Sequence, residues 1–362
     1  MLFRSKRCSY IEIGGIFIYQ RDYKEKLKIG VIGAGSHMYR NLLPALHYLP
    51  VHLTAICNRG EDKLNRTIEE YNCPGYRTPK EMYENEDLDA VIIAVSPFMH
   101  PELACEAMEH GVHVFIEKPA APNVTGIDQM IKISEKTGKY VVVGYKKAFM
   151  PVTDKALEIL NCERYQDVSS ILAVYPLYMP KDGKKALEEQ EFCEWLKNGC
   201  HPLSFMLQIA GSVKSVITLT NEKGFGIVQL KFENGVIGNL HLSDVSKPAR
   251  DEYRIYGNGW SIDIEGSGCI ALRRGIPSYE YDNAVSFAPE GFDSGDIVWE
   301  PATCQASPEN KALFVQGMVQ QLNYFCQCVL TKTPPVRGSL VFARQITQVF
   351  EAALISEGKE IF

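Results

Sequence analysis

The sequence predicts an α/β protein in two halves, a first half of parallel strands covered by helices and a second half in which strands outnumber helices. Three observations carry this. A strand-like run enters a glycine-rich turn at LKIGVIGAGSHM (27–38), and apolar runs end in polar or charged residues at DAVIIAVSPFMH (89–100) and VHVFIEKPAA (112–121). The third is the strand-rich series that begins at VSSILAVYP (168–176). At 362 residues the chain exceeds the size at which one core keeps growing, so two domains are expected.

Composition narrows the function classes. Hydrophobic residues at 46% and charged residues at 23% are globular values. A net charge of −6 disfavours a nucleic-acid footprint, which needs clustered cations, and leaves small molecules or proteins as partners. Eleven cysteines without a CxxC pair read as free thiols of a reducing cytoplasm. Neither Cys326 with Cys328 nor Cys193 with Cys200 and His201 has zinc-type spacing, so no metal is expected. No stretch is apolar enough to span a membrane. Residues 1–26 begin like a signal-peptide n-region, but Glu12 interrupts the apolar run; they read as an extension with a short hairpin through IEIGGIFIYQ.

In chain order, Gly33 and Gly35 permit a tight turn and close approach of a pyrophosphate, which backbone N–H groups at Ser36 and His37 would meet at a helix start. Met38 stands where a third glycine is usual. After a helix at 39–48, VHLTAICNR (51–59) is the next buried strand, and Asn58 and Arg59 at its end face an adenosine ribose. A carboxylate there would suit NAD; Arg59 suits a 2′-phosphate, so NADP(H) is favoured over NAD(H). Helices at 61–72 and 79–85 precede a strand at Ala90 to Val95, closed by Ser96 and Pro97 at the nicotinamide end. His100 and Pro101 open a helix that Gly111 stops, and His100 caps it, packs, or reaches the nicotinamide. The next strand delivers Glu117 and Lys118 to its carboxyl end, where open α/β sheets bind ligands. Pro119 pushes Lys118 toward extended geometry and makes a cis Lys-Pro bond inexpensive.

A boundary near 146–151 then separates a domain at 27–148 from one at 149–362. SVKSVITLT, FGIVQLKFENGVIGNLHLS, EYRIYG and WSIDIEG read as strands, with Glu233-Asn234-Gly235 as a hairpin turn. Residues 176–190 and 271–300 read as loops, a helix from 309 carries Leu313, Gly317, Val319 and Phe325, and LVFARQITQVFEAALI (340–355) forms the last helix.

The glycine turn, DAVIIAVSPFMH, GVHVFIEKPAA and VVVGYKKAFMP (141–151) occur in an order that resembles the glucose-fructose oxidoreductase / inositol dehydrogenase / MocA-like (Gfo/Idh/MocA) family, from residue 27 to the end. The resemblance implies an N-terminal Rossmann dinucleotide-binding domain and a C-terminal α+β domain with an open, mostly antiparallel sheet. It also implies hydride transfer between NAD(P) and a carbinol or carbonyl carbon of a sugar, inositol or related polyol. In the segment 191–211, Gly199 and His201 match the family's DxGxH helix, whereas Lys197 replaces its first acid and Ser204 a frequent second one. By this resemblance His201 takes the hydroxyl proton and Lys118 stabilises the developing oxygen charge, with Glu117 fixing that lysine or touching cofactor or backbone. Three readings of Lys197 stand: it binds an anionic substrate, Glu194 supplies the carboxylate, or catalysis is lost. Lys147 approaches substrate, although Ala148 removes a usual contact. Two other functions remain beside the oxidoreductase, a non-catalytic NAD(P) or sugar sensor and a redox-assisted bond cleavage of glycosidase type. An open sheet with one bare face also predicts a homo-oligomer, dimer or tetramer.

Overall fold

A computed structural model describes residues 10–13, 16–19, 23–243, 251–275, 295–300 and 311–361. Tyr10–Ile13 and Ile16–Tyr19 pair as the expected hairpin.

The first sheet is fully parallel, in the order Gly75–Tyr76, Val51–Cys57, Leu27–Ile32, Ala90–Ile93, His113–Ile116, Val141–Val143. Its strands are apolar runs because both faces are covered. On one face Val91, Val114 and Ile116 pack with Leu103, Ala107, Ile127 and Met130 of the helices His100–Glu109 and Val124–Thr137. On the other, Ile29, Val31, Phe115 and Val142 meet Leu322 and Phe325 of Met318–Thr331, a helix that returns from the end of the chain. Strand order reverses beside Leu27–Ile32, which opens a crevice at its carboxyl end.

Three helices differ from expectation, each for a backbone reason. The segment expected as one helix at 39–48 is a wide π turn, Met38–Leu42, followed by Leu43–Leu46. Pro44 offers no N–H and its ring crowds the carbonyl four residues back, so the turn opens. The helix expected from 309 is two, Lys311–Val315 and Met318–Thr331, broken at Gly317 with φ +83°. A Cβ at Gly317 would lie 2.5 Å from the Lys146 carbonyl, so the break lets this helix pair close on the turn Lys146–Phe149. The segment 191–211 likewise divides into Glu194–Asn198 and Cys200–Ala210. Pro202 cannot donate to the Asn198 carbonyl, so the hydrogen-bond ladder is interrupted there, while Gly199 keeps helical angles across the break.

The second sheet has eight strands, in the order Val213–Thr220, Gly226–Phe232, Ile237–Ser243, Val168–Pro176, Glu252–Gly257, Trp260–Glu265, Cys269–Arg274, Gly295–Trp299. Every pair is antiparallel except Ile237–Ser243 with Val168–Pro176. One face is buried against the helices Cys200–Ala210 and Leu340–Ile355; Ile171 and Ala173 point into it, while Leu172 and Val174 lie half-buried on the other. The stretch 176–190, expected as loop, contains the helix Gly183–Glu188, started by the Asp182 side chain accepting from the Lys185 N–H at 2.9 Å. In the other expected loop, 271–300, the ends belong to strands and 276–294 lie outside the described residues.

Candidate active site

Gly33 holds φ +96°, and a Cβ there would sit 2.5 Å from the Ala94 carbonyl, so the turn passes this close to the neighbouring strand end only because this residue has none. At Gly35 an added Cβ would meet nothing within 4 Å, leaving an open approach to the helix that begins at Ser36. The buried Met38 turns into the hydrophobic core, which accommodates the missing third glycine. Asn58 stitches the turn: its Oδ1 accepts from the Ala34 N–H at 3.1 Å and its Nδ2 donates to the Gly60 carbonyl at 2.9 Å. Its amide is therefore engaged within the protein. A cavity of about 450 Å³ opens here, lined by Gly33, Asn58, Arg59, Lys63, Val95 and Leu103, with Arg59 solvent-exposed at its wall. A glycine cradle without side chains, a helix start and a cation in the cavity wall fit a dinucleotide phosphate.

The strand His113–Ile116 leads to Glu117, whose N–H bonds the Ile93 carbonyl, and to a cis Lys118-Pro119 peptide bond. Glu117 is buried, and its Oε2 accepts from the Lys118 N–H at 3.2 Å. Its Oε1 lies 3.1 Å from His37 Nε2, close enough for an ion pair with a protonated His37 but out of line for a hydrogen bond. Ser96 is exposed and Pro97 buried at the neighbouring strand end. His100 is fully buried behind them, its Nδ1 donating to the Pro119 carbonyl at 2.8 Å, and burial lowers its pKa. It braces the Lys-Pro turn from inside.

The second domain brings its groups to the same crevice. Lys118 Nζ donates to the Lys197 carbonyl at 3.0 Å, so position 197 contributes its backbone. The Lys197 amine itself lies 5.0 Å from the centre of the Phe192 ring. Glu194 accepts a hydrogen bond from Asn198 on its own helix. His201 is 7% exposed, and burial first, then the charges of Lys118, Lys146 and Lys147, hold its pKa well below the ordinary histidine value. Burial and these charges favour the neutral imidazole, and its buried Nδ1 has no hydrogen-bond partner.

Three further side chains complete the centre; of these the sequence pointed only to Lys146, as one of the two basic residues in GYKKAFMP, and gave it no role. Asp251 pairs with the buried Lys147; Tyr175 lies 5.9 Å from the Lys147 amine and its ring 6.3 Å from that of His201; and Lys146 donates to Gln316 Oε1 at 3.0 Å. Burial first, then Lys147 and Lys118, lower the Lys146 pKa to about 8. The doubled lysine of GYKKAFMP was a signal for Lys146. Nothing local marked Asp251, which meets Lys147 from 104 positions away. Among the described residues no cluster of three or more His, Cys, Asp or Glu side chains is placed to hold a metal ion, and no helix is long and apolar enough to cross a membrane.

Comparison with known proteins bears on the fold. A family model described as "Oxidoreductase family, NAD-binding Rossmann fold" (GFO_IDH_MocA) matches residues 27–145. The chain is 22% identical over 250 residues to a dTDP-3,4-didehydro-2,6-dideoxy-alpha-D-glucose 3-reductase of Streptomyces antibioticus, a match covering 66% of this chain and 76% of the relative. It is 30% identical over 126 residues to the myo-inositol 2-dehydrogenase of Thermotoga maritima, covering 34% and 37%. The crystal structure of a dehydrogenase from Chromobacterium violaceum shares the fold with a TM-score of 0.75 at 18% identity, over 91% of this chain and 94% of that one.

Proposed function

We propose that this chain, whose residues 27–145 match the NAD-binding Rossmann model of the Gfo/Idh/MocA oxidoreductases, interconverts a secondary alcohol and a ketone on a sugar, inositol or sugar-acid-like substrate, with NADP(H) preferred. One observation carries the reading: a lysine amine and a buried neutral imidazole converge at the carboxyl ends of the Rossmann strands, beside an open glycine cradle. The bound dinucleotide supplies the acceptor or donor of hydride. His201, kept uncharged by burial and three lysines, accepts the hydroxyl proton in oxidation and returns it in reduction. Lys118, anchored on the Lys197 carbonyl, faces the oxygen on which negative charge develops, and such a preorganised donor lowers the barrier by roughly 3 kcal/mol. The Lys197 amine, drawn toward Phe192, leaves the anchoring to its backbone, so loss of the acid at this position is compatible with a working base.

The cofactor preference rests on Arg59 and Lys63, two cations in the cavity wall that suit a 2′-phosphate and share that wall with Glu61 and Asp62. Self-association belongs to the same reading: Leu172, Val174, Ile217, Leu219 and Ile227 share the uncovered face of the second sheet. A panel of sugars, inositols and sugar acids with NADP⁺ or NADPH, followed by nicotinamide absorbance, tests the activity; tight cofactor binding without turnover on any member would favour a sensor. Arg59→Ala should weaken NADPH far more than NADH, and equal loss for both would remove the 2′-phosphate assignment.

A further inference from the structure

The crevice holds more positive charge than its own acids balance. Lys118, Lys146 and Lys147 act on one another and on His201, while Glu117 and Asp251 are the carboxylates that pull on Lys146. Around Lys146, three amines face these two carboxylates; Glu194, the next acid nearby, acts on Tyr175 and is held by Asn198. Asp251 is committed to Lys147 and Glu117 is turned toward His37 and its own backbone. Lys146, half-buried, has the neutral Gln316 amide as its hydrogen-bond partner. A cation withdrawn from water without a counter-charge is costly, and an anion arriving beside it recovers that cost.

The cofactor's phosphates do not reach this amine. The glycine turn follows Leu27–Ile32, whereas Lys146 follows Val141–Val143, three strands away in the same sheet. At about 4.8 Å per strand the separation is roughly 14 Å. The turn Lys146–Phe149 packs instead on Cys200–Ala210, the helix that carries His201.

We propose that the substrate carries an anionic oxygen group, a carboxylate or a phosphate, which Lys146 binds while the reacting carbon faces His201 and Lys118. The position of that carbon rests on the oxidoreductase reading; the anion site does not. Gln316 holds the Lys146 amine toward the crevice, and Asp251 keeps Lys147 from competing for the ligand. The groups facing the Lys146 amine are Lys147, Lys118, Glu117, Asp251 and Gln316, and with its pKa lowered to about 8 the affinity for an anion should fade above that pH.

Calorimetric titration of the NADPH-loaded protein near neutral pH with matched probes tests this: D-glucose, D-gluconate, D-glucuronate and D-glucose 6-phosphate, and the same set on galactose. A charge-assisted contact contributes about 1.5–3 kcal/mol, so the acid or the phosphate should bind roughly ten- to hundredfold tighter than its neutral parent. Whichever anion wins identifies the group as carboxylate or phosphate. Lys146→Gln should abolish the preference and Lys146→Arg retain it. Gln316→Glu, which leaves every lysine in place but neutralises Lys146 internally, should also reduce it. If no anionic probe outbinds its parent, or if Lys146→Gln and Gln316→Glu both keep the preference, the inference is overturned. Turnover is read separately: neutral sugars turned over without any anion preference would remove this inference and leave the oxidoreductase, and an anion preference without turnover would do the reverse.

Discussion

Replacing Asp251 by asparagine strips the Lys147 amine of its counter-charge while preserving the shape of the side chain. The Lys147 side chain is 6% exposed and that of Asp251 23%, so the pair lies inside the protein on the lysine side and near its surface on the acid side. Removing one partner of a buried pair costs about 3–5 kcal/mol, because the other charge stays behind without compensation. Partial access of water to Asp251, and the Tyr175 and Tyr253 rings at 5.9 and 5.8 Å from the amine, place the expected loss at the lower end, about 3 kcal/mol. Urea denaturation of wild type and Asp251→Asn measures it. The double variant Lys147→Met with Asp251→Leu should recover most of the loss, since apolar groups of similar volume can replace an ion pair at little cost. A loss below about 1 kcal/mol in the single variant would mean that the pair behaves like a surface salt bridge, and that Lys147 does not depend on Asp251.

Other substitutions and conditions probe the rest of the site. Gly33→Ala forces a Cβ into positive φ and to 2.5 Å from the Ala94 carbonyl, so stability should fall by about 2–4 kcal/mol and cofactor binding with it; an unchanged denaturation midpoint would contradict this local geometry. His201, His100 and His113 all have lowered pKa values in the folded protein, burial being the first cause in each and His113 falling to about 4. The unfolded chain therefore takes up protons below about pH 6.5 that the native state refuses, and stability should drop as pH falls from about 7 to 5; a flat urea midpoint across that range would contradict the burial of these rings. Lys118→Met should slow turnover roughly a hundredfold or more with little change in cofactor affinity, and a near-normal rate would take Lys118 out of the reaction.

Buried parallel strands advertise themselves: with both faces covered they are uninterrupted apolar runs, and the glycine cradle and Glu117-Lys118 follow directly from where those runs end. The last helix, Leu340–Ile355, was equally legible as a segment, and in the structure the Ser339 hydroxyl that starts it accepts from the Phe342 N–H at 3.2 Å. Breaks were harder to read. Pro44 and Pro202 lie inside apolar, helix-like patterns, and only the three-dimensional path shows that one opens a π turn and the other restarts a helix. Two features of the site depend on contacts far apart in sequence, and no local pattern encodes these. Asp251 reaches Lys147 across 104 positions, and Lys118 uses the carbonyl of residue 197, an atom that every residue type supplies. The substitution of lysine for the expected acid is conspicuous in the sequence, and in the structure its amine lies 5.0 Å from the centre of the Phe192 ring.

The proton role of His201 is tested most directly by a single-turnover measurement with a substrate from the sugar panel, monitored at the nicotinamide absorbance and paired with direct titration of the cofactor. His201→Asn should slow hydride transfer roughly a hundred- to ten-thousandfold while cofactor affinity stays essentially unchanged. A variant that transfers hydride at nearly the wild-type rate would show that the buried imidazole does not carry the proton.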